Sequence, residues 1–336
     1  MKVKKMLLLA VTALAVGLSA GAPVQAARYS KSEARIVRKF QRDYRELSQV
    51  KYNESNIYLR RPNFNVPFSA GVLNPSYIPA SINYINYYRS LVGLPEEANN
   101  ESDNVNAQIG AAALASVNAA PNLQAHGLLN YVKPDYISDA DWDIAESSTL
   151  GNLNFLEDGS ATAGDIVTDL LREDNNIAGK GNIGHRALIL STRATRMGIG
   201  AAYGRINNIL YSVENGLFAD DILRAPVKNR IVYPANRLFP YELVGRNTPW
   251  SYSTTDRISG KPKIYITDLS LKKKRLYRAI QVKNFGTMFY GEGYTTTITY
   301  RPSKKTKLVN THKYRVQIGK HYTYTFRFFR QKGKLK

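Results

Sequence analysis

The chain of 336 residues contains no cysteine, which excludes a disulfide framework, thiolate-ligated metals and thiol catalysis together. Histidine is scarce as well, with four in the whole chain, so imidazole chemistry has few places to occur. Beyond the first 26 residues no G-x-S-x-G motif is present, and no H-E-x-x-H occurs anywhere, which leaves neither a nucleophile elbow nor a zincin helix in the remaining chain; the one G-x-S-x-G, Gly17 to Gly21, falls in the N-terminal apolar stretch. After the first residues, no apolar run approaches the roughly 20 residues that a membrane-spanning helix needs. Solenoid-period repeats are missing too. Acidic residues are nearly absent from the last third: residues 228–336 hold 25 Lys and Arg against 4 acids, whereas residues 28–227 hold 19 against 22. The whole excess positive charge of +21 therefore sits at one end, and the two halves are expected to meet different partners.

Residues 1–26 read as a secretory signal: Lys2, Lys4 and Lys5 precede an apolar run from Met6 to Leu18, and Val24-Gln25-Ala26 offers small residues for cleavage. Export without cysteine points to a bacterial, extracellular or cell-surface protein. The remaining length exceeds one typical domain, so two are expected.

Along the chain, "SKSEARIVRKFQRDYRELSQV" places Ile36, Phe40, Tyr44 and Leu47 at helical spacing behind a Ser cap. Four prolines between Lys51 and Pro79 predict an extended lead-in, and residues 27–74 are taken together as helix plus lead-in. "SINYINYYRSLVGL" and the alanine-rich "NAQIGAAALASVNAA" are amphipathic or buried helices, and "GDIVTDLLRED" is a third, with Glu173 in its last turn. "RMGIGAAYG" and "NNILYSVENG" alternate instead and read as paired strands around "GRINN". Beyond Pro226 the segments "KIYITDLSL", "YRAIQVKNF", "YTTTITYRP" and "KYRVQIGKHYTYTFRFF" are dense in β-branched and aromatic residues. The expected fold class is α+β: a mixed domain over residues 75–225 and a small all-β, sandwich-like domain over 226–336.

His126 on a helical stretch, His185 after a glycine-rich loop, and Glu173 twelve residues before the second histidine form a set able to hold a divalent cation such as Zn2+ in an open site. The same histidines could equally be structural. Arg186 and the run after it read as fold elements, and the junction around Trp250 as packing.

"INYINYYRSLVGLP", "NAQIGAAALA" followed by "LQAHG", and "LLREDNNIAGKGNIGHRALIL" together resemble, in order and spacing, the CAP superfamily of cysteine-rich secretory, antigen 5 and pathogenesis-related 1 proteins, above all its bacterial extracellular members. The resemblance covers about residues 75–220 and implies an α-β-α sandwich whose cleft gathers two histidines and two acids around a metal. His126, His185 and Glu173 would take three of those positions. The fourth falls on Glu146, or on Ser148 if Leu150 sets the register.

Three functions follow as expectations. The first is a non-catalytic binding module whose cleft takes a divalent metal or small ligand. The second is a metal-assisted extracellular hydrolase in the same cleft. The third is a surface protein acting through its basic half, where Lys272, Lys273, Lys274, Arg275, Lys304 and Lys305 interleave with aromatics and suit anionic, teichoic acid-like wall polymers. Nucleic acid is not the expected polyanion for an exported chain.

Overall fold

A computed structural model of the protein describes residues 28–157, 159–216, 218–289 and 293–333. The signal-like segment 1–26 lies outside the described residues. The first half runs α1 (Lys31–Glu46), the short strands β1 (Lys51–Tyr52), β2 (Tyr58–Arg60) and β3 (Val72–Leu73), α2 (Tyr77–Leu91), α3 (Glu101–Ser116), α4 (Asp139–Ser148), β4 (Asn152–Leu156), β5 (Ala161–Thr162), α5 (Ala163–Arg172), α6 (Gly184–Ile189), β6 (Met197–Tyr203), β7 (Leu210–Gly216) and α7 (Ala219–Ile222). The second half is all strand apart from one short 3-10 turn: β8 (Arg230–Tyr233), β9 (Arg237–Pro240), β10 (Trp250–Thr254), β11 (Ile264–Asp268), β12 (Leu276–Arg278), β13 (Ile280–Asn284), β14 (Thr296–Arg301), β15 (Lys313–Ile318) and β16 (Tyr322–Phe329). The class is mixed α+β.

In the first half a three-stranded antiparallel sheet, in the order β4-β7-β6, is covered by helices on both faces. The expected hairpin forms, with Met197 opposite Gly216 and Tyr203 opposite Leu210. Alternation along β6 explains how both faces are covered. Met197, Ile199, Ala201 and Tyr203 face the core shared with α2 and α5, while Gly198, Gly200 and Ala202 face α3. A Cβ on Gly200 would sit 2.2 Å from the Ala107 carbonyl oxygen, and one on Gly198 2.3 Å from that of Asp103. The glycines let the α3 backbone lie directly on the sheet, and the alanines of α3 complete the close approach. Arg89, in the first helix of the resemblance, is fully buried at the end of α2 and donates to the carbonyls of Pro95, Ile189 and Ser191, which pins α2 to the end of α6.

The second half contains a four-stranded sheet, β13-β14-β10-β8, and a five-stranded sheet, β12-β11-β15-β16-β9, in which only the β16–β9 pair is parallel. Aromatic side chains from the two sheets meet between them: Trp250 lies edge-on to Phe326 at 5.4 Å and Tyr252 stacks on Tyr322 at 5.5 Å. The strands form open sheets, not a barrel.

Three boundaries differ from the sequence reading. Helix α2 starts at Tyr77, inside the expected lead-in, because Pro79 falls in the first turn, where its missing N–H costs nothing. The segment 233–252 supplies strands β9 and β10 instead of a mere junction. Helix α1 packs on the second half as well as the first: Phe40 stacks on Phe329, Gln41 donates to the Arg330 carbonyl, and Tyr44 meets Tyr84 and Tyr87. Arg186 fastens the halves a second time. Its buried guanidinium donates to the carbonyls of Leu171, Arg172 and Pro249 and lies 3.7 Å above the Tyr233 ring.

Candidate functional site

Where β4, α5 and α6 converge, a cleft of about 450 Å3 opens to solvent. Its floor is polar, with Asn152 and Asn154 on β4, Asp169 on α5 and Asn182 ahead of α6. Its rim is apolar: Leu123, Leu150, Ile177 and Met288 are exposed, and Phe289 reaches over from the second half. The cleft is thus completed by the loop after β13.

His126, His185 and Glu173 all line this cleft. Glu173 stands one residue past α5, not in its last turn, at φ +61°. That left-handed turn aims its carboxylate back under α6, where it is fully buried. Oε1 accepts the Arg186 backbone N–H at 2.8 Å, while Oε2 accepts from His185 Nδ1 at 2.8 Å and from Asn176 Nδ2 at 2.7 Å. Since a carboxylate only accepts, His185 must carry its proton on Nδ1 and turn Nε2 out as an acceptor when neutral. Burial opposes charging of His185, yet the field and hydrogen bond of Glu173 prevail, and its pKa is raised above the ordinary imidazole value.

His126 was expected on a helical stretch. It lies in a 3-10 segment, Leu123–Leu128, at a kink where its own φ/ψ are non-helical, because Gly127 follows at φ +65°. Its Nδ1 lies 3.1 Å from the Thr149 carbonyl oxygen, which also only accepts, so the same tautomer is imposed. Burial and the nearby His185 lower its pKa. Two imidazoles whose Nδ1 partners fix the tautomer of the neutral form therefore border one cleft, and among the described residues neither Nε2 has a hydrogen-bond partner.

Glu146 does not line the cleft; its Oε1 accepts from Trp142 Nε1 at 2.8 Å, one turn away on α4. Ser148 is buried under α3 and donates to the Ala145 carbonyl. Among the described residues no group of three or more His, Asp or Glu side chains is placed to hold a metal ion. Behind the floor lies an acid that sequence reasoning missed. Glu214 on β7 is buried, with Oε2 accepting from Asn152 Nδ2, whose second contact is the His185 carbonyl. Burial pushes the Glu214 pKa up to about 7, against the Asn152 bond and the His185 charge. Alternation in "YSVENG" sets Glu214 on the face opposite Tyr211 and Val213, which reads as solvent-facing in sequence and is buried because the sheet is covered on both faces.

Lys272, Lys273, Lys274 and Arg275 are exposed between β11 and β12, and Lys304 and Lys305 are exposed after β14. No protein-family model matches the chain, and no curated protein matches it. Among the described residues, no helix is long and apolar enough to cross a membrane.

Proposed function

We propose that the chain is an exported, wall-associated protein of CAP type whose first half is a non-catalytic binding module. The observation that carries this reading is the pair of imidazoles with fixed tautomers, His126 and His185, presenting Nε2 acceptors beneath an apolar rim. Support for the CAP likeness comes from helices on both faces of the three-stranded sheet and from a histidine after α3 paired with a Glu-His couple across α5 and α6. The ligand class follows from the lining: a small amphipathic molecule with a hydroxyl or amide donor for the two Nε2 atoms and an apolar part for Leu150, Ile177, Met288 and Phe289.

A zinc ion fits this donor set poorly. Open sites normally take three protein ligands. Here two imidazoles are free, while Glu173 spends both oxygens on orienting them. The second half is assigned contact with anionic wall polymers through Lys272–Arg275 and the pair Lys304 and Lys305, where the cations are exposed and the acid four residues before Lys272, Asp268, is buried against His312.

The test titrates the protein with dodecyl maltoside below its micelle concentration and, separately, with Zn2+, following the imidazole 15N resonances. Saturable binding of the amphiphile that disappears in the His126→Ala/His185→Ala variant supports the reading. Indifference to the amphiphile with one-to-one zinc binding would replace it with a metal site. Turnover of ester or amide probes lost in the same variant would replace it with a hydrolase.

A further inference from the structure

Helix α1 carries a line of cations for which the cleft and the second half have no use. Lys31, Arg35, Arg38, Arg42 and Arg45 follow one another at spacings of four, three, four and three residues, and all five are exposed. At about 100° per residue they fall within an arc of about 80°. From Lys31 to Arg45 is fourteen residues, so the line is about 21 Å long and one side chain wide. Lys39 borders it, held by Asp43 at 2.6 Å, and Arg42 contacts Asp43 at 3.2 Å and Glu46 at 3.9 Å. Among the described residues Lys31, Arg35, Arg38 and Arg45 have no acidic or hydrogen-bond partner. Glu33, the remaining acid of α1, is turned away onto Ser30 and Arg327.

The stripe does not serve the helix. Like charges three and four residues apart repel, and of the five only Arg45, in the last turn, complements the helix dipole, while Lys31 in the first turn opposes it. Nor does it suit a bilayer, because the apolar face is already used: Val37 is buried, Phe40 stacks on Phe329, and Tyr44 packs on Tyr84 and Tyr87. No exposed aromatic accompanies the cations on the arc to stack a base, as single-stranded nucleic acid would require.

We propose that this face of α1 is a docking track for a linear phosphodiester polymer without bases, of the polyol-phosphate kind, lying along the helix with successive phosphates beside successive cations. The proposal shares a class of partner with the wall-contact reading but none of its residues.

The experiment measures binding of the full chain to labelled polyglycerol phosphate at about 50 mM and about 200 mM salt. The Arg35→Gln/Arg38→Gln/Arg42→Gln variant, whose exposed substitutions leave the buried face of α1 intact, should bind at least about tenfold more weakly at the lower salt and show a shallower salt dependence. Circular dichroism checks that its fold is unchanged. A Lys272→Gln/Lys273→Gln/Lys304→Gln/Lys305→Gln variant separates the two surfaces: weakening confined to that variant, with the α1 variant binding as the parent does, overturns the proposal and leaves the wall-contact reading standing. Tighter binding to single-stranded DNA, or to phosphatidylglycerol vesicles, than to the polymer also overturns it.

Discussion

Replacing Glu173 by Gln tests whether this carboxylate sets the tautomer and charge of His185. The change keeps shape, and the amide oxygen can still accept the Arg186 N–H that Oε1 now accepts at 2.8 Å. The amide NH2 would then face Asn176 Nδ2 and His185 Nδ1, both of which donate to Oε2 in the parent. A hydrogen bond to a charged group is worth about 1.5–3 kcal/mol, and this one is buried. The cost should therefore depend on pH. Because the folded-state pKa of His185 is raised, the pair's contribution is fully present below the unfolded value and disappears as pH rises through the folded one. The expected loss is about 3 kcal/mol at pH about 6, shrinking to about 1 kcal/mol at pH about 9, where His185 is neutral in either protein. Urea unfolding at the two pH values measures the loss, and 15N titration of His185 should show its pKa dropping in the variant. Equal destabilisation at both pH values, or an unmoved His185 titration, would refute the reasoning.

Other changes probe different links. Gly200→Ala drives a methyl to 2.2 Å from the Ala107 carbonyl and should destabilise by about 1–3 kcal/mol, read from thermal unfolding; a neutral result would mean that α3 does not rest on β6. Glu214→Gln should raise stability at pH about 8 by up to about 3 kcal/mol and change little near pH 4, because the raised pKa means that the parent loses stability as pH climbs from the ordinary carboxylate value to about 7. Denaturant curves at both pH values decide it. Phe289→Ala should weaken amphiphile binding about tenfold by isothermal calorimetry without shifting the thermal midpoint, since the ring is half-buried at the cleft rim and contacts Phe285 at 5.2 Å.

Period and composition made much of the scaffold legible. The alternation of "RMGIGAAYG" revealed β6, and the alanines of "NAQIGAAALA" revealed a helix meant for close packing. What sequence period could not reveal was whatever depends on a turn. Glu173 belongs to a helical pattern up to Arg172 and departs from it by a single left-handed residue, which decides where its carboxylate points. His126 sits between helix-like neighbours but at a kink created by Gly127. Strand β4 was missed because "NLNFL" is only five residues long and asparagine is depleted in strands, although Leu153 and Phe155 alternate with Asn152 and Asn154; those asparagines are the floor of the cleft. The exception to the local pattern coincided with the site.

Most of the carboxylate oxygens around the cleft are engaged in holding its walls. Asp169, Glu173 and Glu214 all lie near His185: Asp169 accepts from Asn154 and Asn175, Glu173 from His185, Asn176 and the Arg186 backbone, and Glu214 from Asn152 through Oε2, while its Oε1 is buried behind the floor without a partner. A general base needs a lone pair within reach of a substrate proton, and the carboxylates are spent on holding the walls. Lone pairs left open at the cleft include the two imidazole Nε2 atoms, which accept when the rings are neutral because each Nδ1 carries the proton, and Asn154 Oδ1 on the floor. On the proposed reading the imidazole pair accepts from a ligand's donor and selectivity rests with the apolar rim, whose last member, Phe289, is lent by the second half. An imidazole held by a carboxylate through Nδ1 is also the arrangement of a general base, so the ester and amide probes separate binding from turnover.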